Sequence, residues 1–285
     1  MLLVSSTYPV AKRFGDEKSI ELFAEAGFDA LDYSAFFMDS PLCGSDYKDY
    51  ALYLKKFAEN NGISFVQAHA PMITDSDEKH IAEAKQCTIK AIEGASIMGA
   101  EVIVVHPLHY LDYADNAHRL YELNMEFFGE LIKHAEKFGI RIACENLFQV
   151  KDDKVVDSVC SSSEEFCRYI DTIASPYLTA CLDLGHCNVC GRDAEDIIMA
   201  MGDRIGALHI HDNDGVADLH KLPGTVSMNW DNICKALKDI DYKGNFTFEV
   251  NGYLNPYSDD FVPTALKFLH DVGRHFISKI NSYQK

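Results

Sequence analysis

The chain of 285 residues carries 44 acidic against 26 basic side chains, a formal charge of −18, and 47% hydrophobic residues. That is enough apolar material for one large core, while the sign of the charge opposes a protein that must grip many phosphates, so nucleic acid is disfavoured as a partner. No run of about 18 uncharged apolar residues occurs and the N-terminus lacks a basic region leading into an apolar run, so the expectation is a soluble protein without a membrane span.

Apolar, β-prone runs begin near residues 2, 29, 63, 101, 140, 178, 205 and 245, with helix-length stretches between them. Eight such starts predict eight βα units, hence an α/β chain folded as one (β/α)8 TIM barrel domain over residues 1–285. Helical stripes recur at Leu120, Leu123, Phe127 and Leu131, at Ile233, Leu237 and Ile240, and at Phe261, Ala265, Phe268, Val272 and Phe276, all expected to be core. Gly27, Gly62, Gly139 and Gly244 stand just before strands, where a helix end favours positive φ. The polar segment 148–162 has no periodicity and reads as a loop over the barrel mouth.

The nine cysteines have no regular spacing and read as reduced thiols, which favours the cytoplasm. Cys187-Asn-Val-Cys190 has the spacing of half a zinc knuckle, but no second pair completes it, and packing is the preferred reading. No Gly-x-Gly-x-x-Gly or Gly-x4-Gly-Lys motif occurs, which removes the simplest nucleotide-binding readings.

Six consecutive runs end in metal-ligating residue types: His69, His106, Glu145, Asp183 with His186, His209 with His211, and Glu249. In a barrel these are C-terminal strand ends, the face on which βα loops build active sites. Three buried carboxylates around one mouth demand a compensating cation, and a divalent metal meets that demand most directly. Strand alternation puts His209 and His211 on one face, with His211 nearer the mouth. Asp212 and Asp214 are expected to shape the following loop by accepting its backbone N–H groups. Asn229 is expected to cap a helix that opens with Trp230 as a packing residue, and Tyr8 and Phe36 are candidate pocket walls.

His69-Ala-Pro, His106-Pro, Glu145-Asn, Leu182-Asp-Leu-Gly-His186, Leu208-His-Ile-His211, Asp218-Leu-His-Lys-Leu-Pro-Gly224 and Glu249 together resemble the xylose isomerase-like barrels. That group includes sugar isomerases, ketose epimerases and abasic-site nucleases of the endonuclease IV type. The resemblance implies metal ligation by Glu145, Asp183, His209 and Glu249, with Glu145 and Glu249 also exchanging the substrate proton. It implies a divalent ion, manganese or zinc first, with cobalt or magnesium as further candidates, and a small sugar as substrate. His69, His106, His186, Asp218 and His220 match residues that bind additional zinc in the nuclease and contact substrate in sugar-converting members, and Lys221 is a further candidate contact.

Where the family commonly shows Gly-x-Gly after the seventh-strand His, this chain has Gly224-Thr-Val226, which puts that loop's conformation in question. The seven arginines fall mostly in helical patterns, which favours an unphosphorylated substrate. Isomerase, epimerase and inosose- or dehydroshikimate-type dehydratase stay open, as does three-zinc phosphodiester cleavage, and homo-oligomerisation is undecided.

Overall fold

The computed structural model describes residues 1–284. Its eight barrel strands are β1 (Leu3–Ser6), β2 (Ala30–Ser34), β3 (Phe65–His69), β4 (Val102–Val105), β5 (Arg141–Glu145), β8 (Leu178–Asp183), β9 (Ile205–His209) and β10 (Phe246–Phe248). They pair in parallel in the order β10-β1-β2-β3-β4-β5-β8-β9. Ile210 closes the barrel: its N–H donates to the Thr247 carbonyl and its own carbonyl accepts the Glu249 N–H. All eight strands begin within two residues of the positions the sequence predicts. No helix among the described residues is long and apolar enough to cross a membrane, and all nine cysteines are free.

The main core lies between strands and helices, where each strand's outward side chains meet an apolar helix stripe. Inside the barrel a small group of Val102, Val104, Ala143, Cys181 and Ala207 fills the centre. Above it stands a polar layer in which Gln67 Nε2 donates to Asp32 Oδ2 at 3.0 Å and Thr247 Oγ1 lies 3.4 Å from Gln67 Oε1.

Three expectations are corrected. Segment 148–162 is no plain loop: β6 (Phe148–Lys151) and β7 (Lys154–Asp157) form an antiparallel hairpin, turned by Asp152 and Asp153 at positive φ. In the last helix, α10 (Val262–Ser282), Ala265 and Phe276 are buried as expected, but Phe268 and, just before the helix, Phe261 are exposed. The inward face is set instead by Val262, Leu266, Leu269, Gly273, Ile277 and Ile280. Gly27, Gly62 and Gly139 take the positive φ expected of them. Gly244 does not; a Cβ there would stand 2.2 Å from Tyr242 Oη and 2.9 Å from the Gly206 carbonyl, so it is kept small by close approach.

Candidate active site

The mouth is assembled from strand ends. β3 delivers His69, the residue after β4 is His106, β5 ends on Glu145, β8 on Asp183 and β9 on His209, and Glu249 follows β10 directly. Asp183 also caps the short helix α7 (Leu184–Val189), accepting the His186 N–H at 2.7 Å, which turns the His186 ring back over the mouth. Asn146 fixes the β5–β8 junction by accepting the Asp183 N–H at 2.7 Å while its amide nitrogen donates to the Asp183 carbonyl.

Ligand-capable atoms of Glu145, Asp183, His209 and Glu249 all lie within 4.8 Å of one another. His209 Nδ1 is 3.0 Å from Glu145 Oε1 and 3.5 Å from Glu249 Oε2. On one side His69 Nε2 and His106 Nε2 reach Glu145 Oε2 at 3.3 and 3.1 Å. On the other, His220 Nε2 stands 2.8 Å and His186 Nε2 3.7 Å from Asp218 Oδ2. The nine strand-end and loop residues from His69 to Glu249 are thus brought together. Lys221 stands apart, its backbone paired with that of Asp212 and its side chain not among those lining the cavity.

A cavity of about 700 Å³ opens above this cluster. Glu145 and Glu249 line its floor together with His69, His106, His186, Asp218 and His220, whereas Asp183 and His209 lie behind the floor, each 0% exposed. Tyr8 and Phe36 form part of the wall, as the sequence suggests, and the hairpin contributes Phe148 to Lys151.

Among the described residues every ion-pair partner of Glu145, Asp183 and Glu249 is an imidazole, and no lysine or arginine pairs with them. Burial pushes Glu145 up, but His209 and His106 beside it prevail and hold it well below the usual carboxylate range. Burial pushes His209 down, yet the facing Cys181, Glu249 and Glu145 groups raise it well above the ordinary imidazole value. His186 is raised well above its usual value too, with burial overcome by Asp183 and Asp218, and His220 is raised to about 9, with burial overcome by its bond to Asp218 and by Glu249. Imidazoles rather than lysines or arginines thus face the buried carboxylates.

The donor set itself tests the fit: Glu145, Asp183, His209 and Glu249 turn ligand-capable atoms toward one another within 4.8 Å, and mixed imidazole and carboxylate donors suit zinc or manganese, so the residues present fit a divalent ion. Because a ligating imidazole must be neutral, metal competes with protons for His209, whose surroundings favour the protonated form. Apparent metal affinity should therefore rise with pH through neutrality, with proton release on binding. Calorimetric titration in two buffers of different ionisation enthalpy measures that release, and a heat independent of buffer would contradict it.

Sequence reasoning underrated His211. Its ring is fully buried, with Nε2 3.1 and 3.2 Å from the two Asp183 oxygens, and it stacks on His220 at 4.1 Å between centroids. Room for that ring comes from Gly185, where a Cβ would stand 1.9 Å from His211 Cε1. The signal was available as the glycine of Asp183-Leu-Gly-His186. Asp32, 3.6 Å from His209 Nε2, and the cavity-lining His109 and Asn251 also went unread. An acidic residue inside the apolar run Ala30-Leu-Asp-Tyr33 was the clue to Asp32.

The loop after β9 is organised as expected, and Val226 does not prevent it. Asp212 accepts the backbone N–H groups of Gly224, Val226, Ser227 and Met228 and the Trp230 indole N–H, at 2.9 to 3.3 Å. Asp214 accepts the Val216 and Ala217 N–H groups at 2.9 Å, and the Asn229 side chain caps α9 (Trp230–Asp239). Asp212→Asn turns one acceptor into a donor facing donors inside a buried site. It should lower stability by about 2–3 kcal/mol in urea unfolding, and an unchanged midpoint would show that the loop is held by other means.

Comparison with known proteins places this architecture. The sequence description of the xylose isomerase-like TIM barrel family matches residues 20–271. Over 120 residues, 42% of this chain and 36% of the relative, the sequence is 30% identical to the D-psicose 3-epimerase of Enterocloster bolteae. The crystal structure of the IOLI protein with a bound zinc atom superposes with a TM-score of 0.80 at 18% identity, covering 99% of this chain and 100% of that one. A D-tagatose 3-epimerase-like protein superposes with a TM-score of 0.79 at 21% identity, covering 99% and 98%. Both superpositions establish the fold.

Proposed function

This chain belongs to the xylose isomerase-like TIM barrel family, and on that premise we propose that it is a metal-dependent isomerase or epimerase of a small, unphosphorylated ketose, aldose or polyol-derived ketone. One observation carries the reading: of the four residues that converge within 4.8 Å, only Glu145 and Glu249 also face the cavity, while Asp183 and His209 are sealed beneath them. Two carboxylates are thus presented to substrate by a pair of groups that can only hold or position. The stretch of likeness to a psicose epimerase and the superposition on a tagatose epimerase-like protein support a sugar as the molecule handled.

Held by Glu145, Asp183, His209 and Glu249, a divalent ion would supply positive charge beside a substrate carbonyl and acidify the neighbouring C–H bond. One glutamate takes that proton, and the other returns one to the opposite face for epimerisation or to the adjoining carbon for isomerisation. His69 and His106 lean on Glu145 and fix its second oxygen. His186, Asp218 and His220 form the opposite rim, placed to hydrogen-bond substrate hydroxyls.

A specific observation favours a second reading, because further metal-capable groups flank the central four: His69–Glu145–His209 on one side, Asp183–His186–His211 and His211–Asp218–His220 on the other. Three zinc ions there would suit hydrolysis of abasic-site DNA, against which stands the charge of −18. Elemental analysis of the purified protein together with an abasic-site duplex tests the choice. We expect one divalent ion per chain and an intact duplex; three zinc ions with incision would replace the sugar reading.

A further inference from the structure

We propose that the substrate is a keto sugar carrying an apolar substituent, of phenyl-ring size or larger, on the end remote from the carbon that Glu145 and Glu249 serve; this rests on the keto-sugar reading above. The cavity holds about 700 Å³. A ketohexose has twelve heavy atoms, and if each took the roughly 30 Å³ that a water occupies in the liquid it would displace at most about 360 Å³. Half the space above the polar floor is left over.

Much of the lining of that remaining space is apolar. On one side Tyr8, Phe36 and Phe37 form a continuous aromatic wall, with Tyr8 5.2 Å from Phe36 and 6.0 Å from Phe37 between centroids. Across the barrel, after β4 and β5, stand Leu111, Phe148 and Val150. Phe37 is 52% and Val150 65% exposed, although large apolar side chains at a rim cost hydrophobic free energy unless something covers them.

The second wall is fixed in place. Gln149 Nε2 donates to the carbonyls of His109 and Leu111 at 2.6 and 2.7 Å, its Oε1 accepts the Tyr113 N–H at 3.0 Å, and Lys151 Nζ is 2.5 Å from Asp112 Oδ2. Those contacts hold the β6–β7 hairpin upright, with Phe148 edge-on to His186 at 5.0 Å. Lys151 is the only lysine or arginine among the described cavity-lining residues, and it is paired with Asp112, so no free cation waits for a phosphate. An apolar group laid against these preformed walls leaves water, whereas an unsubstituted sugar leaves them wet.

The 6-O-methyl and 6-O-phenyl ethers of D-fructose and D-tagatose test this, compared with the parent sugars on metal-replete protein. Two quantities are read: kcat/KM for solvent deuterium incorporation at the carbon next to the carbonyl, and the calorimetric Kd of each compound. We expect the phenyl ethers to exceed the methyl ethers by at least about tenfold in both, part of what burying a phenyl-sized group is worth. The ratio should collapse toward one in the doubly substituted Phe37→Ala, Val150→Ala protein. Exchange that is equal for both ethers, or slower for phenyl, overturns the substituent while leaving the keto-sugar reading intact. A phenyl preference in Kd with no exchange on any sugar keeps the apolar subsite and overturns the proton-transfer reading. Neither preference nor exchange overturns both.

Discussion

Glutamine in place of either Glu145 or Glu249 should lower keto-sugar turnover by about a hundredfold to ten-thousandfold, the range that a positioned acid or base contributes. Glutamine keeps the shape of the side chain and one oxygen able to face a cation, but it cannot take up a proton at neutral pH. Both carboxylates face the cavity, so the loss falls on the groups presented to substrate. Metal content of each variant must be measured alongside turnover, because loss of the ion would lower activity by another route. Turnover within a few-fold of the parent protein in both variants would remove these residues from the chemistry.

Gly185→Ala should act from outside the cavity. The new methyl would stand 1.9 Å from His211 Cε1 and 2.4 Å from its Nε2, the atom that faces Asp183. The ring cannot retreat easily, because it is fully buried and already stacked on His220. Overpacking of this kind costs about 1–3 kcal/mol of stability. Displacing a group that orients Asp183 should also weaken metal binding about ten- to a hundredfold, the usual effect of removing a ligand's supporting partner. Combining it with His211→Ala should relieve the overlap without restoring metal affinity. If Gly185→Ala alone binds metal like the parent, His211 has no part in placing Asp183.

The fold was legible because hydrophobic periodicity reports directly on buried strands, and eight apolar runs at barrel spacing admit few other arrangements. The convergence of the candidate residues was legible for the same reason: a ligand-capable residue at the end of an apolar run, as in Val102-Ile-Val-Val-His106, declares both its strand and its face. The β6–β7 hairpin was not, because its residues are half-exposed and its turn rests on Asp152 and Asp153, which no glycine marks. Misreading α10 had a similar origin. Phe261 and Phe268 look like core by type, but the neighbouring face holding Leu266, Leu269 and Gly273 packs more closely on the barrel, with Gly273 pressed against Leu3 and Phe248. The weight of His211 depended on a contact between two loops, the ring over Gly185, that spacing along one strand does not encode.

The central claim is that Glu145 and Glu249 move a proton on and off a carbon beside a carbonyl. Incubating metal-replete protein with a panel of ketohexoses in deuterated water, and following the carbon-bound protons by NMR, tests it most directly. Deuterium should enter at the carbon adjoining the carbonyl with the parent protein, and not with Glu145→Gln or Glu249→Gln protein that retains its metal. Exchange at the parent rate in both variants would contradict it.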